Sequence, residues 1–463
     1  MRINPAKLVR GRVAVPGDKS ISHRAAMLAA VASGGPSRVS NFATSRDCAS
    51  TLSCLVRLGV DLRREGTSVR IHGGARLPRP PREPLDCGNS GTTMRLLAGL
   101  LAGHDFASTL TGDNSLRSRP MRRIIEPLEL MGARVESHDG RAPLTIHGRD
   151  ELRPVSYVLP VASAQVKSCV LLAGLRAAGT TAVVERGVAT RDHTERLLRW
   201  FGVEVSTRYA AAIGPAAGSA SAAESALAAG AVDDPVANVV QVVSIEGVSQ
   251  LNARDVRVPG DISSAAFLLA AAAMLEGSDL TLEGVGTNPT RAAILAVLHA
   301  LGADVTVSEE HEQSNEPAGD IRVRGRPVLA PTREGENRIR GALSAALIDE
   351  LPVLAVAGTR VEGGIEIRDA AELRVKESDR ISATVANLRA MGAEVEEHAD
   401  GLTVAGPARL RGARVCSFGD HRVAMAFAVA ALTARGDTEI EGADCVGVSF
   451  PEFFPLLESI AVR

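Results

Sequence analysis

The chain has 463 residues, 45% apolar and 23% charged, with a net charge of -2 and 3% aromatics. That is globular composition, too long for one ordinary core, so two or more domains are expected. The near-neutral balance argues against a general nucleic-acid binder, though not against a local basic cleft.

Six cysteines (Cys48, Cys54, Cys87, Cys169, Cys416, Cys445) are scattered without a CxxC pair. Neither a disulfide framework nor a metal site is expected, and reduced thiols fit best. The start, "MRINPAKLVRGRVAVPGDKS", has no apolar signal core and no Arg/Ser-rich leader. No apolar run reaches membrane-spanning length. A cytoplasmic protein without membrane association is the expectation.

In chain order, one pattern recurs: a helical segment ending in a hydrophobic residue plus Gly, then a strand-like run. It appears in "LVRLGVDLRREG", "LELMGARVESHDG", "LLRWFGVEVSTR", "LHALGADVTVSEE" and "LRAMGAEVEEHADG". The Gly fits a helix C-cap, and the alternation after it fits a half-buried strand. Some 39 to 43 residues upstream of each pattern lies a polar residue opening an Ala/Leu/Val-rich helix. These residues are Lys19, Asn89, Ser163, Asp261 and Asp349, and Asp420 stands 41 before Ala461 in the closing stretch. Ala-rich α/β chains yield some echoes of this kind, but six near-equal spacings favour six βαβαββ-like repeats.

The sixth repeat runs out before its last strands, whereas the strand-like N-terminus has no repeat of its own. The N-terminus is therefore expected to complete a C-terminal lobe of 259–463 plus 1–18. An N-terminal lobe of three repeats would span 19–258. Two chain crossings would then explain why "VPGD" occurs both at 15–18 and at 258–261. An Ala/Gly/Ser-rich insert at 209–235 breaks the third repeat and reads as a surface excursion.

Helix N-termini attract anions through free N–H groups and the helix dipole. The polar residues at these starts should therefore report the ligand. Ser20 and Arg24 share a helix face, as do Lys19 and His23. "GNSGTTMR" places Gly88, Asn89, Gly91 and Thr92 at a start, "ASAQVKS" places Ser163, Gln165 and Lys167, and "GDHR" places Asp420, His421 and Arg422. The second helices add Arg119, Arg191, Lys376, Glu377, Asp379 and Arg380. The cations Lys19, Arg24, Arg119, Arg191, Lys376, Arg380 and Arg422 imply a small ligand with several negative charges. Glu377 and Asp349 are left for proton transfer. Taken singly, Arg119 fits a surface residue, Asp18, Asp420 and Ser163 fit helix caps, and His421 fits a structural histidine. Arg95 and Asp47, in or near apolar segments, read as structural. A solvated face is the ordinary reading of "RVKESDRI", so the convergence of the set carries the weight.

Five of these stretches in order, "PGDKSISHRA", "GNSGTTMRLLAGLLAG", "SAQVKSCVLLAGL", "RVKESDRI" and "GDHRVAMAF", resemble the 5-enolpyruvylshikimate-3-phosphate synthase family. The likeness runs from about Pro16 to Phe454. It implies a two-lobed inverse α/β barrel with three repeats per lobe, closing over substrates. It implies transfer of the enolpyruvyl group of phosphoenolpyruvate to the 5-hydroxyl of shikimate 3-phosphate through a tetrahedral intermediate, with no metal or organic cofactor. Lys19, Ser20, Arg24, Ser163, Ala164, Gln165, Arg191, Asp349 and Lys376 match positions that hold shikimate 3-phosphate. Asp349 matches the carboxylate near the reacting hydroxyl. Lys19, Arg119, Gln165, Arg380, His421 and Arg422 match the phosphoenolpyruvate clamp, and Gly91 lines that pocket. Lys19 and Glu377 match the proton carriers for C3. The resemblance also implies competition by glyphosate, a phosphoenolpyruvate mimic, which Gly91→Ala would weaken.

Other branches carry a Lys where this chain has Val448, so one cation is absent or replaced from elsewhere. A related reading is a UDP-N-acetylglucosamine enolpyruvyl transferase, but a Cys is expected there where this chain has Asn114, and "DKS" is foreign to it. A non-catalytic sugar-phosphate-binding repeat protein would not need Asp349 and Glu377 beside anions. An RNA-end-processing relative is disfavoured by the balanced charge. A monomer is expected, since the site draws on one chain.

Overall fold

The structure, a computed structural model, describes residues 1–187, 189–211, 239–247 and 250–463. From position 212 onward, the insert expected at 209–235 lies outside the described residues. The fold is mixed α/β, and the chain divides into two compact units, Lys19–Val258 and Met1–Asp18 with Pro259–Arg463.

In the unit Lys19–Val258, three four-stranded sheets share one strand order. The first runs Val256–Arg257, Pro36–Ser40, Ser68–His72, Asp61–Glu65, the first pair parallel and the others antiparallel. The second runs Leu85–Asp86, Ala107–Thr111, Arg141–His147, Arg134–His138. The third runs Ser156–Val158, Thr180–Arg186, Val239–Glu246, Val205–Ala211.

Three helices, Lys19–Ala30, Gly91–Ala102 and Ala164–Gly174, are buried along almost their whole length and fill the core. A helix apolar all round must be enclosed, so polar side chains survive only at its ends. Two of these helices touch closely: a Cβ on Gly99 would fall 2.2 Å from the Cys169 carbonyl oxygen. The outer helix Arg46–Arg57 instead buries Cys48, Leu52 and Leu55 and exposes Arg46, Ser53 and Arg57, the periodicity of a half-covered helix.

The other unit repeats the plan with the N-terminus woven in. Leu8–Ala14 pairs parallel with Asp279–Gly286, which pairs antiparallel with Glu316–Arg324, and that with Asp304–Gln313. A second sheet runs Arg338–Ile339, Ile365–Ile367, Gly401–Val404, Val395–His398. In the third, Arg414–Cys416 is parallel to Thr438–Glu441, and Arg2–Ile3 closes the edge antiparallel to the latter. The buried helices are Ile262–Met274, Leu351–Gly358 and His421–Thr433.

The five glycines marking the recurring pattern, Gly59, Gly132, Gly202, Gly302 and Gly392, all have φ between +85° and +98°. Among the described residues, no helix is long and apolar enough to cross a membrane.

Candidate functional site

In the unit Lys19–Val258, Lys19 opens its helix and directs Nζ to Asp47 Oδ2 at 2.9 Å. Arg24, one turn on, is buried: Nε donates to Thr194 Oγ1, Nη2 to Ser168 Oγ (each 2.7 Å) and Nη1 to the Ser20 carbonyl at 2.9 Å. One guanidinium thus ties three helices and fixes the backbone at Ser20. His23 is also buried, its Nδ1 2.7 Å from Thr51 Oγ1, which is 2.7 Å from Thr93 Oγ1. Burial holds the His23 imidazole well below its ordinary pKa, and the charges of Lys19 and Arg24 push the same way.

Asn89 was the expected opener of the second core helix, but Ser90 caps it, accepting from Thr93 N at 3.1 Å. Asn89 instead accepts from Arg119 Nη2 and donates to Asp113 Oδ2, both at 2.7 Å. Gly91 lies beneath two guanidinia: a Cβ there would stand 2.7 Å from Arg95 Nη1 and 3.5 Å from Arg119 Nη1. Arg95 Nη1 donates to Gln165 Oε1 at 2.6 Å, and Gln165 Nε2 donates to Thr92 Oγ1 at 2.9 Å. Ser163 caps the third core helix through Val166 N at 3.4 Å, with Ala164 its first residue.

Lys167 does not join this set. It is fully buried, 2.8 Å from Glu185, 2.7 Å from Glu195 and 3.3 Å from the Thr190 carbonyl. Arg191 follows Thr190, half-buried, just before the helix His193–Trp200.

In the other unit, Asp349 stands two residues before the helix Leu351–Gly358 and faces three guanidinia. Its Oδ1 is 3.5 Å from Arg380 Nη1, and its Oδ2 is 4.0 Å from both Arg422 Nη2 and Arg291 Nη1. Arg380 is buried and spends its other donors on Asp420 Oδ2 at 2.7 Å and Glu377 Oε2 at 2.6 Å. Burial works against its charge, but Asp420, Glu377 and Asp349 more than offset this and raise its pKa. Asp420 also caps the helix His421–Thr433 through Arg422 N at 2.8 Å, with His421 buried beside it. Lys376 turns to Glu372 Oε1 at 2.8 Å. Val448 ends the short 3-10 turn Ala443–Val448 and is half-buried. Among the described residues, no group of three or more His, Cys, Asp or Glu is placed to hold a metal ion.

Three residues that sequence reasoning set aside or passed over stand in these clusters: Asp47 on Lys19, Arg95 on Gln165, and Arg291 on Asp349. Spacing could have flagged the last. Arg291 follows Asp261 by 30 residues, as Arg119 follows Asn89 by 30 and Arg380 follows Asp349 by 31. The clusters gather fixed cations at helix starts with carboxylates among them, an arrangement suited to a polyanionic substrate and proton transfer.

The family model described as EPSP synthase (3-phosphoshikimate 1-carboxyvinyltransferase) matches residues 3–224 and 233–457. A 3-phosphoshikimate 1-carboxyvinyltransferase of Koribacter versatilis is 49% identical, covering 100% of this chain and 99% of that protein. One of Pelotomaculum thermopropionicum is 48% identical over the same shares. A solved structure of the EPSP synthase from Acinetobacter baumannii superposes with a TM-score of 0.82 at 38% identity, covering 100% of this chain and 98% of that one. With the matched regions taking in most of both compact units and full-length relatives near half identity, the chain belongs to the EPSP synthase family.

Proposed function

We infer that the protein is an enolpyruvyl transferase. It moves the enolpyruvyl group of phosphoenolpyruvate to the 5-hydroxyl of shikimate 3-phosphate and releases phosphate, a step of the shikimate pathway. Beside the family match, the observation that carries this reading is Asp349, a carboxylate facing three guanidinia at 3.5 to 4.0 Å. A purely anion-binding cluster gains nothing from such a group.

In the addition step, the hydroxyl oxygen bonds to C2 of phosphoenolpyruvate and C3 takes a proton, giving a tetrahedral intermediate. In the elimination step, the C2–O bond to phosphate breaks and C3 returns a proton. Asp349 accepts from the reacting hydroxyl, and Lys19 and Glu377 move the protons at C3. Ser20, Arg24, Ser163, Ala164, Gln165, Arg191 and Lys376 hold shikimate 3-phosphate. Arg119, Arg380, His421 and Arg422, with Gln165 and the backbone at Gly91, hold phosphoenolpyruvate. Fixed cations stabilise charge that develops on the leaving phosphate without reorganising. Asp47 and Glu377 already pair with Lys19 and Arg380 at 2.9 and 2.6 Å, so substrate anions enter by exchanging with internal carboxylates.

We further read the two units as the lobes of an inverse α/β barrel with three repeats each. The four-strand order recurring in five sheets, with three of its positions kept in the sheet of Arg414–Cys416, Thr438–Glu441 and Arg2–Ile3, supports this. A monomer fits, because every residue invoked comes from one chain, and we read its location as cytoplasmic.

The test is phosphate release by purified protein. Turnover should require both substrates and collapse in Lys19→Met and in Glu377→Gln. Turnover with UDP-N-acetylglucosamine as acceptor, or none with shikimate 3-phosphate, would overturn the assignment.

A further inference from the structure

The chain leaves the unit Met1–Asp18/Pro259–Arg463 after Asp18 and re-enters it at Pro259. Both points carry Val-Pro-Gly-Asp, and the two copies pair reciprocally. Asp18 N–H donates to the Pro259 carbonyl at 2.8 Å, and Asp261 N–H donates to the Pro16 carbonyl at 2.9 Å. Both carboxylates then face one guanidinium: Arg291 Nη2 lies 3.8 Å from Asp18 Oδ2 and 3.8 Å from Asp261 Oδ1. The same nitrogen donates to Ser263 Oγ at 2.8 Å, and that hydroxyl donates to Glu350. The other arm, Nη1, reaches toward Asp349 Oδ2 at 4.0 Å.

Arg291, Asp18, Asp261 and Glu350 are all buried. An apolar side chain at 291 would not fill the same place, because four carboxylates would lose a shared cation. Arg291 differs from the other two guanidinia at Asp349, since the substrate-binding assignments use Arg380 and Arg422 and not Arg291.

We propose that Arg291 is a positioning residue for Asp349, holding that carboxylate in register with the paired Val-Pro-Gly-Asp segments of its unit. Of its two arms, Nη2 is anchored on Ser263 and the two crossover aspartates, so Nη1 is set in place toward Asp349. The inference rests on Asp349 being the carboxylate at the reacting hydroxyl.

Five forms test it by kcat, by KM for each substrate and by thermal melting: wild type, Arg291→Lys, Asp349→Asn, the double variant of these two, and Arg291→Gln/Glu350→Gln. Arg291→Lys keeps the buried charge and lacks the second arm. It should melt near wild type, keep both KM values and lose about 10- to 100-fold in kcat, the scale of a misplaced catalytic group. In the Asp349→Asn background the same change should cost nothing further. Arg291→Gln/Glu350→Gln, which removes one charge of each sign, should repeat the kcat loss. A full kcat loss in Asp349→Asn with none in Arg291→Lys would overturn the positioning role alone, as would additive losses in the double variant. Full activity in Asp349→Asn would overturn the assignment of Asp349 beneath it.

Discussion

Gly91 and Arg95, one helical turn apart, are packed so that a methyl group on the Gly91 Cα would meet Arg95 Nη1 at 2.7 Å. That nitrogen is the far end of a long side chain with several rotatable bonds, so it yields before the backbone does. The consequence of Gly91→Ala should therefore fall on function and not on folding. Displacing the guanidinium breaks its 2.6 Å bond to Gln165 and shifts charge next to Arg119. A lost charge-assisted hydrogen bond of about 1.5–3 kcal/mol corresponds to about 10- to 100-fold. KM for phosphoenolpyruvate should rise on that scale, and inhibition by glyphosate should weaken with it. Steady-state kinetics with each substrate varied separately decide it, and equal glyphosate inhibition of both forms would contradict it.

His23 sets a mild-acid limit on stability. It is neutral in the fold because burial, then Lys19 and Arg24, depress its pKa well below the ordinary 6.5. A depressed folded value means that the unfolded chain takes up the proton first. The histidine's contribution is thus fully present above pH 6.5 and is lost as pH falls toward the folded value. His23→Gln can still bond Thr51 but cannot titrate. The drop in melting temperature from pH 7.5 to pH 5 should be smaller in the variant than in wild type.

The residues that were legible in the sequence were those whose role is local. A glycine at a left-handed C-cap, a serine or aspartate at an N-cap and an all-apolar helix each follow from a few neighbours. Ser163, Asp261 and Asp420 cap as their positions suggest. What could not be read was which distant charge meets which. Lys167 looked like one more cation at a helix start, and only the strand Thr180–Arg186 and the helix His193–Trp200 reveal its two carboxylates. Arg95 looked structural because its helix is apolar, yet Gln165, 70 residues on, shows what it faces.

The Lys167 cluster holds one ammonium against two buried carboxylates. Glu185 also receives the Thr190 N–H at 3.2 Å and the Thr190 hydroxyl. Burial pushes the Glu195 carboxyl above its ordinary value, against the pull of Lys167. Its contribution to stability is therefore present below pH 4.5 and is lost as pH rises through the raised folded value. Glu195→Gln should gain stability relative to wild type as pH rises, with the difference closing toward pH 4.5. Lys167→Met should lose about 3–5 kcal/mol, because it strands buried carboxylates. Denaturant melts across pH would show both, and a Glu195→Gln variant that weakens with rising pH would reverse the assignment.

Arg380 faces three carboxylates with three different nitrogens: Nε on Asp420, Nη2 on Glu377 and Nη1 toward Asp349. A lysine ammonium cannot reproduce that fork, so Arg380→Lys should keep the charge and lose the geometry. Turnover should fall about 100-fold with a modest loss of stability. Arg380→Ala should in addition cost about 3–5 kcal/mol, because Asp420 stays buried without its cation. The two effects separate in Arg380→Ala/Asp420→Asn. Asparagine still caps the helix His421–Thr433 and carries no charge to strand, so the double variant should recover most of the lost stability. It should recover none of the turnover, since the guanidinium proposed to hold phosphoenolpyruvate is still missing. Melting and phosphate release measured on the same preparations separate these outcomes, and a double variant as unstable as Arg380→Ala would show that the ion pair with Asp420 is not what Arg380 contributes to the fold.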